Sequence, residues 1–179
     1  MVAGEVRTER LVFVDECSTN TSLAPLYAWS RRGERALCSL PRNWGANVTL
    51  LACMSVEGMG SSLAVEGPTT REVFETYLER LLAPSLCPGQ VVVMDNLSDN
   101  LSSHRGGRVR ELIEGKGCEL IYLPPYSPDL NPIEEAFAKL KALLRKAGAR
   151  TREALIEAMG RALEAVTAQD ACGFFEHRG

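Results

Sequence analysis

The stretches RLVFVD at residues 10–15 and QVVVMD at residues 90–95 decide the fold. Each is a short run of β-branched and aromatic residues that closes on an aspartate. A continuous apolar run of this length, without alternation, reads as a strand buried on both faces, and such strands belong to a sheet covered by helices. The same reading puts Asp15 and Asp95 at the exits of their strands. If those strands are neighbours, the two side chains converge at one edge of the sheet.

Working outward, residues 27–36 (YAWSRRGERA), 47–56 (NVTLLACMSV) and 61–66 (SSLAVE) read as further strands, with Gly45, Gly58, Gly60 and Gly67 marking turns. From Thr69 to Leu82 the period changes to 3.6, with Val73, Phe74, Tyr77, Leu78, Leu81 and Leu82 on one stripe, and Pro84, Pro88 and Gly89 close the helix. A helix over 108–114 and a buried strand over 118–123 (CELIYL) follow. Four prolines in the ten residues LPPYSPDLNP (123–132) make a stiff, extended loop. Residues 132–148 and 151–168 then read as two helices around a glycine-containing turn. This order of elements predicts an α/β (α+β) fold, a mixed sheet flanked by helices.

The chain has 179 residues, 45% hydrophobic and 24% charged, with a formal net charge of −3, so one domain over 1–179 with a sizeable core is expected and disorder is excluded. An acidic whole excludes a simple electrostatic nucleic-acid glue, and any contact with nucleic acid must be local. No apolar run approaches membrane-spanning length and the N-terminus has no signal-peptide core, so a cytoplasmic protein without a membrane partner is expected. The six cysteines form no C-x-x-C pair, and several sit among apolar neighbours, as Cys53 and Cys118 do, where a free thiol packs as a small hydrophobe.

The chemistry rests on carboxylates. Glu134 is delivered by the proline-rich loop at the start of a helix, and three acidic groups held close repel one another unless a cation sits between them. Oxygen ligands suit Mg²⁺ or Mn²⁺, and a pair of such ions activates water and stabilises the leaving oxygen in phosphoryl transfer. Each acidic residue also has a plainer role open to it. Aspartates are common turn formers, and with Asn131 as N-cap and Pro132 at N1, Glu134 falls at the capping-box position N3. Glu16 and Glu135 read as solvated or core-rim carboxylates.

On that helix Ile133, Phe137, Leu140 and Leu144 form the apolar stripe, while Ala138, Lys141 and Arg145 share the face of Glu134. Residues 139–152 hold six basic residues and no acidic one. They are either solvation for a helix or, at Lys141 and Arg145, contacts to the phosphates of a nucleic acid lying along that face. Arg31, Arg32, Arg35 and Arg42 form a weaker cluster of the same kind.

LVFVDE (11–16), VVVMDN…SSHR (91–105) and above all LPPYSPDLNPIEEAFAKLK (123–141) resemble the DDE-type transposases of bacterial insertion sequences in the Tc/mariner superfamily, in their catalytic domain. The resemblance runs from about residue 8 to the C-terminus and implies a ribonuclease-H-like fold. It implies two Mg²⁺ (or Mn²⁺) ions held by Asp15, by Asp95 or Asp99, and by Glu134, with no small-molecule cofactor. It further implies cleavage of transposon-end phosphodiesters and strand transfer to target DNA, and a place for His104 near the DNA or metal. Transposon-end and target DNA are the expected partners, with a second copy of the chain, and the nucleoid is the expected location when DNA is bound. The helix-turn-helix modules that the family carries ahead of this domain are expected to be absent.

Asp95 and Asp99 compete because DNLS occurs twice in tandem, at 95–98 and 99–102. Strand position selects Asp95, which directly follows VVVM. Motif spacing selects Asp99, with 34 residues before Glu134 against 38 from Asp95. The strand anchors Asp95, which is preferred, with Asp99 the alternative. The duplication also motivates a second reading, a catalytically impaired remnant that folds or binds DNA without cutting.

Overall fold

A computed structural model describes residues 7–39, 47–95, 107–125 and 127–178. Its centre is a five-stranded sheet of order β3-β2-β1-β4-β5, built from β1 (Leu11–Thr19), β2 (Val48–Ser55), β3 (Gly58–Glu66), β4 (Val91–Met94) and β5 (Glu119–Tyr122). The first three strands form an antiparallel meander, and β4 and β5 are added parallel to β1 on its other side. The sheet is mixed, as the order of elements predicts.

Period-two alternation along the strands sorts the core into two layers. Phe13 and Cys17 of β1, with Val91 and Val93 of β4, face the helices α4 (Ile133–Ala147), α5 (Arg152–Glu164) and α6 (Ala168–Arg178). Val12 and Val14, with Val92 and Met94, face α1 (Arg71–Tyr77) and α3 (Gly107–Glu114). Each helix turns an apolar stripe to its layer. That of α4 is Ile133, Phe137, Leu140 and Leu144, all at most 1% exposed, joined by the small Ala136. Gly148 ends α4 at φ 60, the left-handed C-cap that glycine adopts without a Cβ clash, its N–H bonded to Leu144 O.

Five expectations are corrected. Residues 27–36 form no strand. Ser30 and Glu34 close a turn around Gly33, at φ 87, while Leu26, Tyr27 and Trp29 stand in solvent, and among the described residues the segment has no neighbouring strand to complete it. β1 runs on to Thr19, which places Asp15 in mid-strand, paired with Ala52, rather than at the exit. The helix from Arg71 widens into a π turn at Leu78–Leu82 before α2 (Ala83–Ser85), and within it Leu82 is buried while Leu81 is left outside. The proline-rich loop is not extended throughout, since Pro128–Leu130 form a 3₁₀ turn. Residues 168–178, to which the sequence pattern assigns no element, form α6. A reciprocal Thr167–Asp170 capping box starts this helix, and Phe175 sets its ring edge-on to Phe13 with centroids 5.4 Å apart.

Candidate active site

β1 and β4 run parallel with Val14 opposite Met94, so one step further along the register brings Asp15 beside Asp95. Asp15 has the parity of Phe13 and Cys17, and Asp95 that of Val91 and Val93. Both therefore belong to the face that α4 covers, where Glu134 occupies the helix's first turn. The adjacency depends on a crossover that inserts β4 next to β1. A β1-β2-β3 meander alone would leave Asp15 at a sheet edge.

Asp15 is 5% exposed, and both of its oxygens are held. Oδ1 accepts the Glu16 N–H at 2.7 Å, and Oδ2 accepts Nδ2 of Asn131 at 2.8 Å. Burial raises its pKa from 3.8 to about 7, the Glu16 N–H opposes that shift, and the negative charges of Glu134, Asp95 and Glu16 add to it. The three carboxylates named from sequence thus share one electrostatic neighbourhood. Among the described residues, however, no three His, Cys, Asp or Glu side chains are grouped as a ready metal-ligand cluster.

Asn131 is the residue that sequence reasoning missed. Its expected role as N-cap is not what the structure shows. Pro132 occupies the cap position, no side chain among the described residues caps α4, and Asn131 serves the helix through its carbonyl, which accepts from Glu134 N. The amide side chain turns instead to Asp15, 3% exposed, with its Oδ1 buried and without a partner among the described residues. The available signal was its place immediately before a proline, since the restriction on that residue disfavours helix and leaves its side chain free for other work.

Lys141, two turns after Glu134, lies against Cys17, whose thiol pKa burial raises and the nearby ammonium pulls back down. It therefore reaches the same face as the carboxylates. The rest of the basic run divides. Lys139 pairs with Asp170 at 2.6 Å, Arg150 donates to the carbonyls of Thr21 and Leu23, and Arg152 pairs with Glu66. Those three hold the fold together. Arg145 has no ion-pair partner among the described residues and remains on the Glu134 face. Arg31, Arg32 and Arg35 lie exposed in the irregular segment between β1 and β2, while Asp99, His104 and Arg42 fall outside the described residues.

Of the neighbouring carboxylates, Glu16 is half-buried, with one oxygen enclosed and without a partner among the described residues. Glu135 is bound from α6. Its Oε1 accepts Arg178 Nε at 2.6 Å and lies 2.6 Å from His177 Nδ1, and both groups hold its pKa below the usual carboxylate value, His177 contributing most. Arg178 also reaches the carbonyl and carboxylate of Asp129 at 3.4 Å. The C-terminal helix thereby clasps both sides of the segment that delivers Asn131 and Glu134.

Residues 10–156 match the family described as DDE superfamily endonuclease. The chain belongs to that family. Its relatives include the Tcb1 transposase of Caenorhabditis briggsae, 27% identical over 143 residues, 78% of this chain and 52% of that protein. The Tc1 transposase of Caenorhabditis elegans is 26% identical over 141 residues, 76% of this chain and 50% of that protein. This family member therefore spans about half the length of the curated relatives it matches. Among solved structures, the Mos1 transposase paired-end complex with left transposon end superposes with TM-score 0.71 at 17% identity, covering 97% of this chain and 52% of that one. The catalytic domain of Mos1 mariner transposase gives TM-score 0.63 at 16% identity, covering 98% and 78%. At such identities the likeness establishes the fold, and the ribonuclease-H-like expectation is met. Among the described residues no helix is long and apolar enough to cross a membrane.

Proposed function

We propose that this member of the DDE endonuclease family is the catalytic domain of a DNA transposase, cutting phosphodiesters at transposon ends and joining the freed 3′-hydroxyl to target DNA. The observation that carries the reading is Asp15, a buried carboxylate whose pKa is raised to about 7 with Asp95 and Glu134 beside it. Such a group is poorly suited to packing and well suited to a cation. The oxygen donors of these three carboxylates fit a hard divalent ion, Mg²⁺ or Mn²⁺, and both metals occur in solved Mos1 complexes.

Asp15, Asp95 and Glu134 would hold the ions, two in number, with Asp99 the alternative to Asp95. When bound, the ions supply an activated water or 3′-hydroxyl and charge stabilisation at the leaving oxygen. The protein supplies position. Asp15 and Asp95 come from adjacent strands and Glu134 from a helix whose buried stripe anchors it, so the site is built on rigid elements. Lys141 and Arg145 contact backbone phosphates beside the scissile bond, and His104 lies near the DNA. The partners are transposon-end DNA, target DNA and a second copy of the chain.

The test is nicking of a duplex carrying the element's terminal sequence. Mg²⁺ or Mn²⁺ should be required, and Asp15→Ala or Glu134→Ala should abolish cleavage while leaving the protein folded. Cleavage that survives either substitution, or proceeds in chelator, refutes the assignment.

A further inference from the structure

We propose that Asn131 is a positioning residue of the cation site, acting through Asp15; the inference rests on the divalent-ion reading above. Asn131 is 3% exposed, stands three residues before Glu134, and donates Nδ2 to Asp15 Oδ2 at 2.8 Å, while the other oxygen of Asp15 accepts Glu16 N–H at 2.7 Å. Donors from two different elements thus orient one carboxylate. One comes from Asp15's own strand and the other from the loop that carries Glu134, so this bond sets where the β1 carboxylate sits relative to the helix carboxylate.

Neither capping nor packing accounts for an asparagine here. The cap position belongs to Pro132 and receives no side-chain bond. In packing terms the amide leaves Oδ1 buried without a partner among the described residues, a cost that a leucine of the same branching would avoid. What asparagine adds over leucine is a neutral donor facing a carboxylate. A neutral donor fixes the rotamer without cancelling the charge, as a lysine would, and leaves the carboxylate able to bind a cation. Partners that orient a ligating group in this way typically change metal affinity about 10–100-fold when removed.

The experiment is a titration of the purified chain with Mn²⁺ alone, read by the electron paramagnetic resonance of the free ion, alongside thermal unfolding in EDTA. Asn131→Leu keeps the branched heavy-atom shape and removes the unpartnered oxygen but leaves Asp15 Oδ2 without its donor, so the variant should fold with an unfolding temperature in EDTA only a few degrees below wild type. Its Mn²⁺ affinity should fall about tenfold or more. Asn131→Ala, which adds no bulk, should show the same loss and decides the matter if the leucine variant does not fold. Unchanged Mn²⁺ affinity in a folded variant overturns the proposal, as does loss of the fold in both, which would make Asn131 purely structural. Wild-type protein that binds no Mn²⁺ fails differently, since it refutes the divalent-ion reading itself.

Discussion

Replacing Asp15 by asparagine should stabilise the metal-free protein, and by an amount that depends on pH in a definite way. The folded-state pKa is raised from 3.8 to about 7, so the native protein holds a proton that the unfolded chain has already released. Below pH 3.8 both states are protonated and Asp15 contributes no penalty. As pH rises from 3.8 to about 7, stability falls by about 1.4 kcal/mol per unit, reaching a loss of about 4 kcal/mol that persists above pH 7. Asparagine does not titrate and removes this loss. Its own oxygen can accept the Glu16 N–H, and its amide then faces Asn131, which can reverse to present Oδ1. The variant thus keeps both bonds, at a cost of about 1 kcal/mol or less for the polar atom left over. The net gain at pH 8 in EDTA is about 3 kcal/mol, or roughly 6–12 °C for a chain of this size. Calorimetry of wild type and variant from pH 4 to pH 8 in EDTA should show the two curves diverging with pH, and Mg²⁺ should raise the unfolding temperature of wild type alone. A variant that is less stable at pH 8, or a difference that does not close towards pH 4, refutes the reasoning.

Arg178→Ala removes the clasp on Glu135 and Asp129 and should cost about 1 kcal/mol, or about 2–4 °C by calorimetry at neutral pH, because both ends of the main pair are only partly buried. Since His177 and Arg178 depress the Glu135 pKa from its usual 4.5, the clasp contributes fully above that pH, and the difference should shrink as pH falls through the lowered value. Phe137→Ala, at a ring 1% exposed between the sheet and α5 and α6, should lose about 3–5 kcal/mol in urea unfolding. Lys141→Ala and Arg145→Ala should each weaken DNA binding uniformly across sequences and reduce the slope of log K against log salt by about 0.9, the value for one phosphate no longer neutralised. Deleting one DNLS copy should leave metal-dependent nicking no better than wild type. A clear gain would instead favour the impaired-remnant reading.

Much of the fold is legible in one dimension because the responsible forces are local or periodic. Runs such as LVFV and VVVM declare strands by their lack of polar residues, and the 3.6-residue stripe from Ile133 to Leu144 declares both the helix and its buried face. The same stripe puts Glu134, Lys141 and Arg145 together on its flank. Sequence patterns mislead where a segment's state depends on neighbours. YAWSRRGERA has strand-forming residues, but a strand needs a partner edge and a burial face, and this segment has neither. The capping expectation at Asn131 fails for a related reason. The local pattern is satisfied by the backbone carbonyl alone, and a carboxylate 116 positions away competes successfully for the amide.

By itself, then, the sequence determined the fold class and the family to which the chain belongs, and it nominated Asp15, Asp95 and Glu134 as candidate ligands, because apolar periodicity and short motifs carry that information. Only the tertiary structure decided that β4 inserts beside β1, that Asp15 lies in mid-strand and buried, and that α6 returns to clasp the start of α4 through Arg178. Each of these is a contact between residues remote in the chain. Their geometry, and the raised pKa that follows from it, comes from loop closure and burial, which no local pattern encodes.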